Sequence, residues 1–227
     1  MEEKLKNINK CLRKVRDHEI VDDSSSSCSS CLGDPPFEGT RLSANLFVGS
    51  VSEAMYPSAL KRENIVGIIN MAGNQLKLIQ RMNAAMDVPG AWSRIRFDIE
   101  WYRAATGDLN FEYLIIDAED HPKYKISDHF LECHEFVKRV TKNGGSVLIH
   151  CVQGLNRSVA VAVAELVFKG SSLEEAIELV SCRRKGKLLS NKAFVKQLIT
   201  YFSEPVAETS VPVKSWFQIG DVVERKI

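Results

Sequence analysis

Residues 146–158 read SVLIHCVQGLNRS, and VAVAVAELVF follows at 159–168. The run before Cys151 does not alternate polar with apolar, the mark of a strand buried on both faces. Five residues with Gly154 at their centre then lead to an apolar stretch, starting near Arg157, that is long enough for a helix. Backbone N–H groups in such a turn can converge on one point, and the helix N-terminus adds unpaired donors and the positive end of its dipole. The result is a bowl for an anion with Cys151 at its floor. The same potential favours thiolate, and helix N-termini can hold a cysteine pKa at roughly 3.5–7.5. Arg157 supplies a planar fork that matches two oxygens of a phosphate. Thiolate, donors and guanidinium in this order suit nucleophilic attack on a bound phosphoryl group. The departing alcohol must leave protonated, so an acid is needed as well.

Around this stretch, apolar strand-like runs alternate with helical periods. NLFVGS (45–50) and VGIINMA (66–72) bracket a helix over about 52–63. NQLKLIQRMNAAM (74–86) is read as helix, RIRFDIEW (94–101) as a partial strand, and FEYLIIDA (111–118) as a strand. Ile126, Phe130, Cys133, Val137 and Val140 share one helical face that Asn143-Gly144-Gly145 stops. Further helices span about 157–169, 172–184 and 191–203. Ser172 and Glu175 have capping-box spacing, and Ser190 or Asn191 caps the last helix. Strands separated by helices predict an α/β fold. A central, mostly parallel, twisted sheet of about five strands is expected, with helices on both faces.

Residues 1–40 are expected to hold a short helix (2–20) and the Ser-rich linker DDSSSSCSSCLGDPP. The main domain runs from 41 to 203, and 204–227 form a tail that Trp216 and Phe217 can dock. Net charge is +1, so no global field favours nucleic acid or an anionic membrane. No run approaches the roughly 20 apolar residues that span a bilayer. MEEKLKNINK lacks an apolar signal core, and Glu2 stands where myristoylation needs glycine. Six cysteines in 227 residues do not look like a secreted disulfide framework. A reducing, cytoplasmic or nuclear setting is expected.

His150-Cys151 to Arg157-Ser158, the pattern H-C-x5-R-S, resembles the signature of cysteine-dependent protein tyrosine phosphatases, and Gly154 fits it too. NLFVGSVSEAM, VGIINMA, IIDAEDHPKYKISDHF and SNKAFVKQL follow the order of segments in the small, atypical dual-specificity protein phosphatases. The similarity covers about 41–203. This resemblance implies the dual-specificity phosphatase fold and hydrolysis of phosphotyrosine and phosphoserine/threonine in protein substrates, without metal or other cofactor. It implies Cys151 as nucleophile, Arg157 as phosphate ligand, and the backbone of Val152, Gln153, Gly154, Leu155 and Asn156 as the cradle. Ser158 would assist the thiolate, and His150 would support the loop. Asp120, ten residues before Phe130, would be the general acid, with Asp117 as the alternative. Asn191, after a two-residue insertion in RRKGKLL, would take a supporting place at the start of the last helix.

Other functions compete. A phosphoinositide phosphatase tends to carry lysines inside the cradle, whereas Val152, Gln153, Leu155 and Asn156 are neutral. An RNA 5′-triphosphate phosphatase resembles the segment GLNR but works without an acid like Asp120. A non-catalytic phosphate-binding module would not need Cys151, Arg157 and Asp120 together.

Cys133 and Cys182 fall on apolar helix faces and read as core; Cys182 as redox partner of Cys151 is the alternative. Cys11, His18, Cys28 and Cys31 match no zinc spacing. Arg183, Arg184, Lys185 and Lys187 form either a solvated loop or an attractor of acidic phosphopeptides. Trp101 and Tyr102 are substrate wall or core. His121 and His129 read as surface residues.

Overall fold

The computed structural model describes residues 37–85 and 96–203. The expected N-terminal helix, the Ser-rich linker, Cys11, His18, Cys28, Cys31, and the tail with Trp216 and Phe217 lie outside the described residues.

Five strands form the sheet: β1 (Thr40–Ser43), β2 (Leu46–Gly49), β3 (Ile65–Asn70), β4 (Glu112–Ile115) and β5 (Ser146–His150). Their spatial order is β1-β2-β5-β3-β4, and only β1 runs antiparallel to its neighbour. The central strand β5 is buried along its whole length, as its unbroken apolar run required. β1 was not expected. Its TRLS has one fully buried side chain, Leu42, too little pattern to read as a strand.

Eight α-helices accompany the sheet among the described residues. They are α1 (Val51–Ala54), α2 (Pro57–Arg62), α3 (Gly73–Ala85), α4 (Ile99–Thr106), α5 (Phe130–Thr141), α6 (Arg157–Phe168), α7 (Leu173–Arg183) and α8 (Lys192–Ser203). The single helix expected over 52–63 is split, because Pro57 opens α2 as its first residue. Of the strand expected at 94–101, residues 94 and 95 lie outside the described residues, and 96–101 form no strand. Phe97 is buried, but Asp98 caps α4 by accepting from the Trp101 N–H at 2.8 Å. The turn Ile126–His129 is 3₁₀, and the helix proper starts at Phe130.

Side-chain alternation places helices on both faces of the sheet. A Cβ at Gly67 would crowd Val140 and Phe136 of α5. Asn70, of opposite parity on β3, donates to the Tyr113 hydroxyl at 2.9 Å, and the Tyr113 ring lies 5.1 Å from that of Tyr102 in α4. Tyr102 is therefore core: it is fully buried, stacks on Phe111, and donates to the Ala54 carbonyl at 2.9 Å. It forms no substrate wall.

Helix α6 is buried on every side through its first half, and Val159 to Ala164 are each no more than 1% exposed. Each buried valine there contributes about 1.5–3 kcal/mol. The capping box of α7 is present: the Ser172 side chain accepts from Glu175 N at 3.2 Å, and Glu175 accepts from Ser172 N at 2.8 Å. Residues 151–156 separate β5 from helix α6, whose first residue is Arg157.

Candidate active site

Between β5 and α6 the chain folds as a bowl. The carbonyls of Cys151 to Asn156 all find donors outside it. In order these are His150 Nδ1 (3.3 Å), Val51 N (3.1 Å), Arg184 Nη2 (3.5 Å), Arg184 Nε (2.6 Å), Leu189 N (3.0 Å) and Ala160 N (2.8 Å). In a trans peptide the N–H points opposite the C=O. The amides that follow each carbonyl therefore turn inward, and the bowl is lined with donors. Gly154 makes the tightest part of the turn at φ +71, where a Cβ would overlap the Arg184 guanidinium and the Gly49 carbonyl.

Cys151 sits in this bowl, 2% exposed. Gly154 N donates to its sulfur at 3.1 Å and the Ser158 hydroxyl at 3.4 Å. Burial opposes ionisation. The bonds from the Ser158 side chain and N–H, the Arg157 charge and the Gly154 N–H outweigh it, and the thiol lies below its ordinary value. Cys133 is buried in α5 without such donors, and burial pushes its thiol up. Two buried cysteines in one fold therefore titrate in opposite directions. Cys182, expected on an apolar face, is exposed.

Arg157 is 4% exposed and anchored through Nη1 to the Ala118 carbonyl at 3.0 Å. Its Nε is buried and has no hydrogen-bond partner, leaving a donor for an incoming anion. Arg157 lines a cavity of about 420 Å³ with Asn74, Gln75 and Leu78 of α3 and with residues 117–121. The wall beside the anion bowl is thus supplied by α3.

Asp120 stands over the bowl, held by two amides. Asn156 Nδ2 donates to one carboxylate oxygen at 2.9 Å and Asn191 Nδ2 to the other at 3.1 Å. Neither amide can rotate without loss. Asn156 Oδ1 accepts from Ser190 Oγ (3.1 Å) and Asn191 N (3.2 Å), and Asn191 Oδ1 accepts from Ala193 N at 3.2 Å. Asn191, not Ser190, therefore caps α8. Asp117 and Glu119 line the same cavity, but Asp117 lies beside the position of Gly73.

His150 is fully buried, and burial lowers its pKa from 6.5 to about 4. With the Cys151 carbonyl as acceptor, Nδ1 carries the proton. Sequence reasoning missed two residues. Arg184 is a clamp on the cradle, not part of a solvated loop; besides the Gln153 and Gly154 carbonyls it reaches Thr40 Oγ1 at 3.2 Å. Its burial lowers its pKa, while Glu53 and the Cys151 sulfur favour its charge. Gln197 of α8 ties down the Asp120 loop, accepting from Ser127 N at 3.1 Å and donating to the Tyr124 carbonyl at 2.8 Å. His121 is exposed, whereas His129 is half-buried and shares a 2.7 Å hydrogen bond with the Tyr124 hydroxyl. Among the described residues no group of three His, Cys, Asp or Glu side chains could hold a metal, and no helix is long and apolar enough to cross a membrane.

Known proteins are similar to this chain in sequence and fold. The chain is 29% identical over 160 residues to dual specificity protein phosphatase 1B of Arabidopsis thaliana, covering 70% of this chain and 78% of that one. It is 34% identical over 117 residues to human dual specificity protein phosphatase 4, covering 51% of this chain but only 29% of that one. The crystal structure of human DUSP28 shares the fold, with a TM-score of 0.55 at 22% identity, over 76% of this chain and 96% of that one. Residues 46–204 match the family defined as the dual specificity phosphatase catalytic domain. That match spans more than half of the sequence, and the protein belongs to this family.

Proposed function

We propose that residues 41–203 form a protein phosphatase unit that hydrolyses phosphotyrosine and phosphoserine/threonine through a phosphocysteine. The observation that carries this reading is the ionisable Cys151 inside a bowl whose carbonyls all face outward. The inward amides and Arg157 bind the three non-bridging oxygens of the phosphoryl group. The Cys151 thiolate attacks phosphorus, the bond to the substrate oxygen breaks, and the Asp120 carboxyl protonates that oxygen as it leaves. Charge on the equatorial oxygens stays paired with donors that need no rearrangement. In the second step the Asp120 carboxylate takes a proton from water, the hydroxyl attacks phosphorus, and the thiolate departs. The Ser158 hydroxyl, 3.4 Å from sulfur, stabilises the departing charge.

Neutral side chains in the cradle and the amide-held Asp120 favour protein over phosphoinositide or RNA 5′-triphosphate substrates. No metal takes part in this reading. A thiolate nucleophile survives only where it stays reduced, which supports a cytoplasmic or nuclear setting.

A substrate panel of phosphotyrosine and phosphothreonine peptides, phosphoinositides and triphosphorylated RNA, compared by kcat/KM, tests the assignment. Cys151→Ser is expected to abolish turnover while keeping phosphopeptide binding. Asp120→Ala is expected to lower kcat by about 10²–10⁴, with Asp117→Ala well above it. Turnover by Cys151→Ser near that of the parent would reject the nucleophile.

A further inference from the structure

Leu78 is the one large aliphatic side chain among the described residues that line the catalytic cavity of about 420 Å³ beside Arg157. It is 57% exposed and takes no part in the core. Helix α3 packs inward through Leu76, 1% exposed, and through the partly buried Ile79. At 3.6 residues per turn, Leu78 stands roughly 200° around the helix from Leu76. We propose that Leu78 receives the phenyl ring of phosphotyrosine and makes this chain favour phosphotyrosine over phosphothreonine. The inference rests on the phosphatase reading above and adds a substrate preference to it.

In that reading Arg157 binds the phosphoryl group and Asp120 protonates the ester oxygen, and both side chains line this cavity. The carbon attached to the ester oxygen is therefore delivered into it. In phosphotyrosine that carbon belongs to a ring, and the peptide main chain follows only beyond the ring. In phosphothreonine the carbon is Cβ, and the main chain comes directly after it. The same space then receives amide groups that the Leu78 side chain cannot hydrogen-bond. A volume of about 420 Å³ lies within the range of small-ligand sites and admits a ring.

No other lining residue offers the ring an equivalent surface. Asn74 and Gln75 are exposed amides, and Asp117 and Glu119 are exposed carboxylates that repel the electron-rich ring face. Ala118 is too small to cover a ring. Met82, one turn beyond Leu78 and 52% exposed, is not among the lining residues, so exposed apolar surface on α3 can be separated from apolar surface in the cavity.

The test uses the full chain and two peptides of one sequence, phosphorylated on tyrosine or on threonine. Phenol leaves more readily than an aliphatic alcohol, so the readout is the change in the ratio of the two kcat/KM values on substitution. Leu78→Gln keeps the length and helix propensity of leucine and removes its apolar surface. It is expected to lower the phosphotyrosine-to-phosphothreonine ratio about three- to tenfold. Leu78→Ala repeats the test without a new polar group and should lower the ratio in the same direction. Leu78→Met and Met82→Gln should keep the parent ratio within about twofold. Melting temperatures check the folding of each variant. An unchanged ratio in Leu78→Gln and Leu78→Ala would overturn the proposal, as would an equal fall in Met82→Gln or a parent that favours the phosphothreonine peptide. If the parent protein hydrolyses neither peptide, the phosphatase reading fails instead. Binding of the phosphotyrosine peptide to the parent and to Leu78→Gln then decides the contact: tighter binding by the parent sustains it, and equal binding or none overturns it.

Discussion

Asn156 donates to Asp120 at 2.9 Å, so a side chain of the bowl around Cys151 grips the loop that carries the proposed proton donor. The two halves of the site are thereby set in one geometry before substrate arrives.

Removing that grip should slow the chemical step more than binding. Asn156→Ala is expected to lower kcat roughly tenfold, with a smaller change in KM. Asn191→Ala should do the same, and because both amides act on one carboxylate, the double variant should fall short of the sum. Aryl phosphates of graded leaving-group basicity report the effect: the variants should lose most on the poorest leaving groups.

The thiolate donors predict a pH shift of known sign. Cys151 lies below its ordinary value, so the rising limb of kcat/KM should appear below that value as the thiol loses its proton. Ser158→Ala removes a donor that favours the charged form, and the limb should move to higher pH. The pH dependence of iodoacetamide alkylation at Cys151 measures the same displacement without turnover.

Arg184 should matter to phosphate binding although it lies behind the cradle. Arg184→Lys keeps the charge but cannot hold the Gln153 and Gly154 carbonyls together. Vanadate affinity is expected to fall about tenfold, with a melting temperature lower by roughly 3–6 °C. Unchanged vanadate inhibition would show that the carbonyls stay outward without it.

His150 should imprint itself on acid stability. Its folded pKa is lowered to about 4 from 6.5, so between these values the unfolded chain binds a proton that the native protein refuses. Stability contributed by the neutral ring is complete above pH 6.5, falls as pH drops toward 4, and then levels off. The change is about 3 kcal/mol across that window. Urea unfolding of the parent and of His150→Gln at successive pH values should differ in slope there and run parallel above pH 7.

Much of the site is legible in sequence because it is local. Cys151, Gly154, Arg157 and Ser158 fall within eight residues, and a buried strand followed by an apolar helix fixes their arrangement. Asp120 and Asn191 are readable only through the resemblance, which supplies an order of segments. Arg184 was legible only as one of a basic cluster, and its hold on the cradle left no trace. Its partners are backbone carbonyls 30 and 31 residues away, which any sequence could provide. Within the stretch read as strand at 94–101, the alternation of Ile95, Phe97 and Ile99 misled over 99–101, where a helix capped by Asp98 begins. β1 was hidden by its brevity, and α3 gave no sign that it borders the catalytic cavity.

The reach of Arg184 from Thr40 to the bowl has a consequence for biosynthesis. The cradle is braced by the first strand and by residues beyond α7, so it is complete only after nearly the whole domain has left the ribosome. Until then the Gln153 and Gly154 carbonyls lack the donor that holds them, and the finished bowl around the sulfur appears as one of the last acts of maturation.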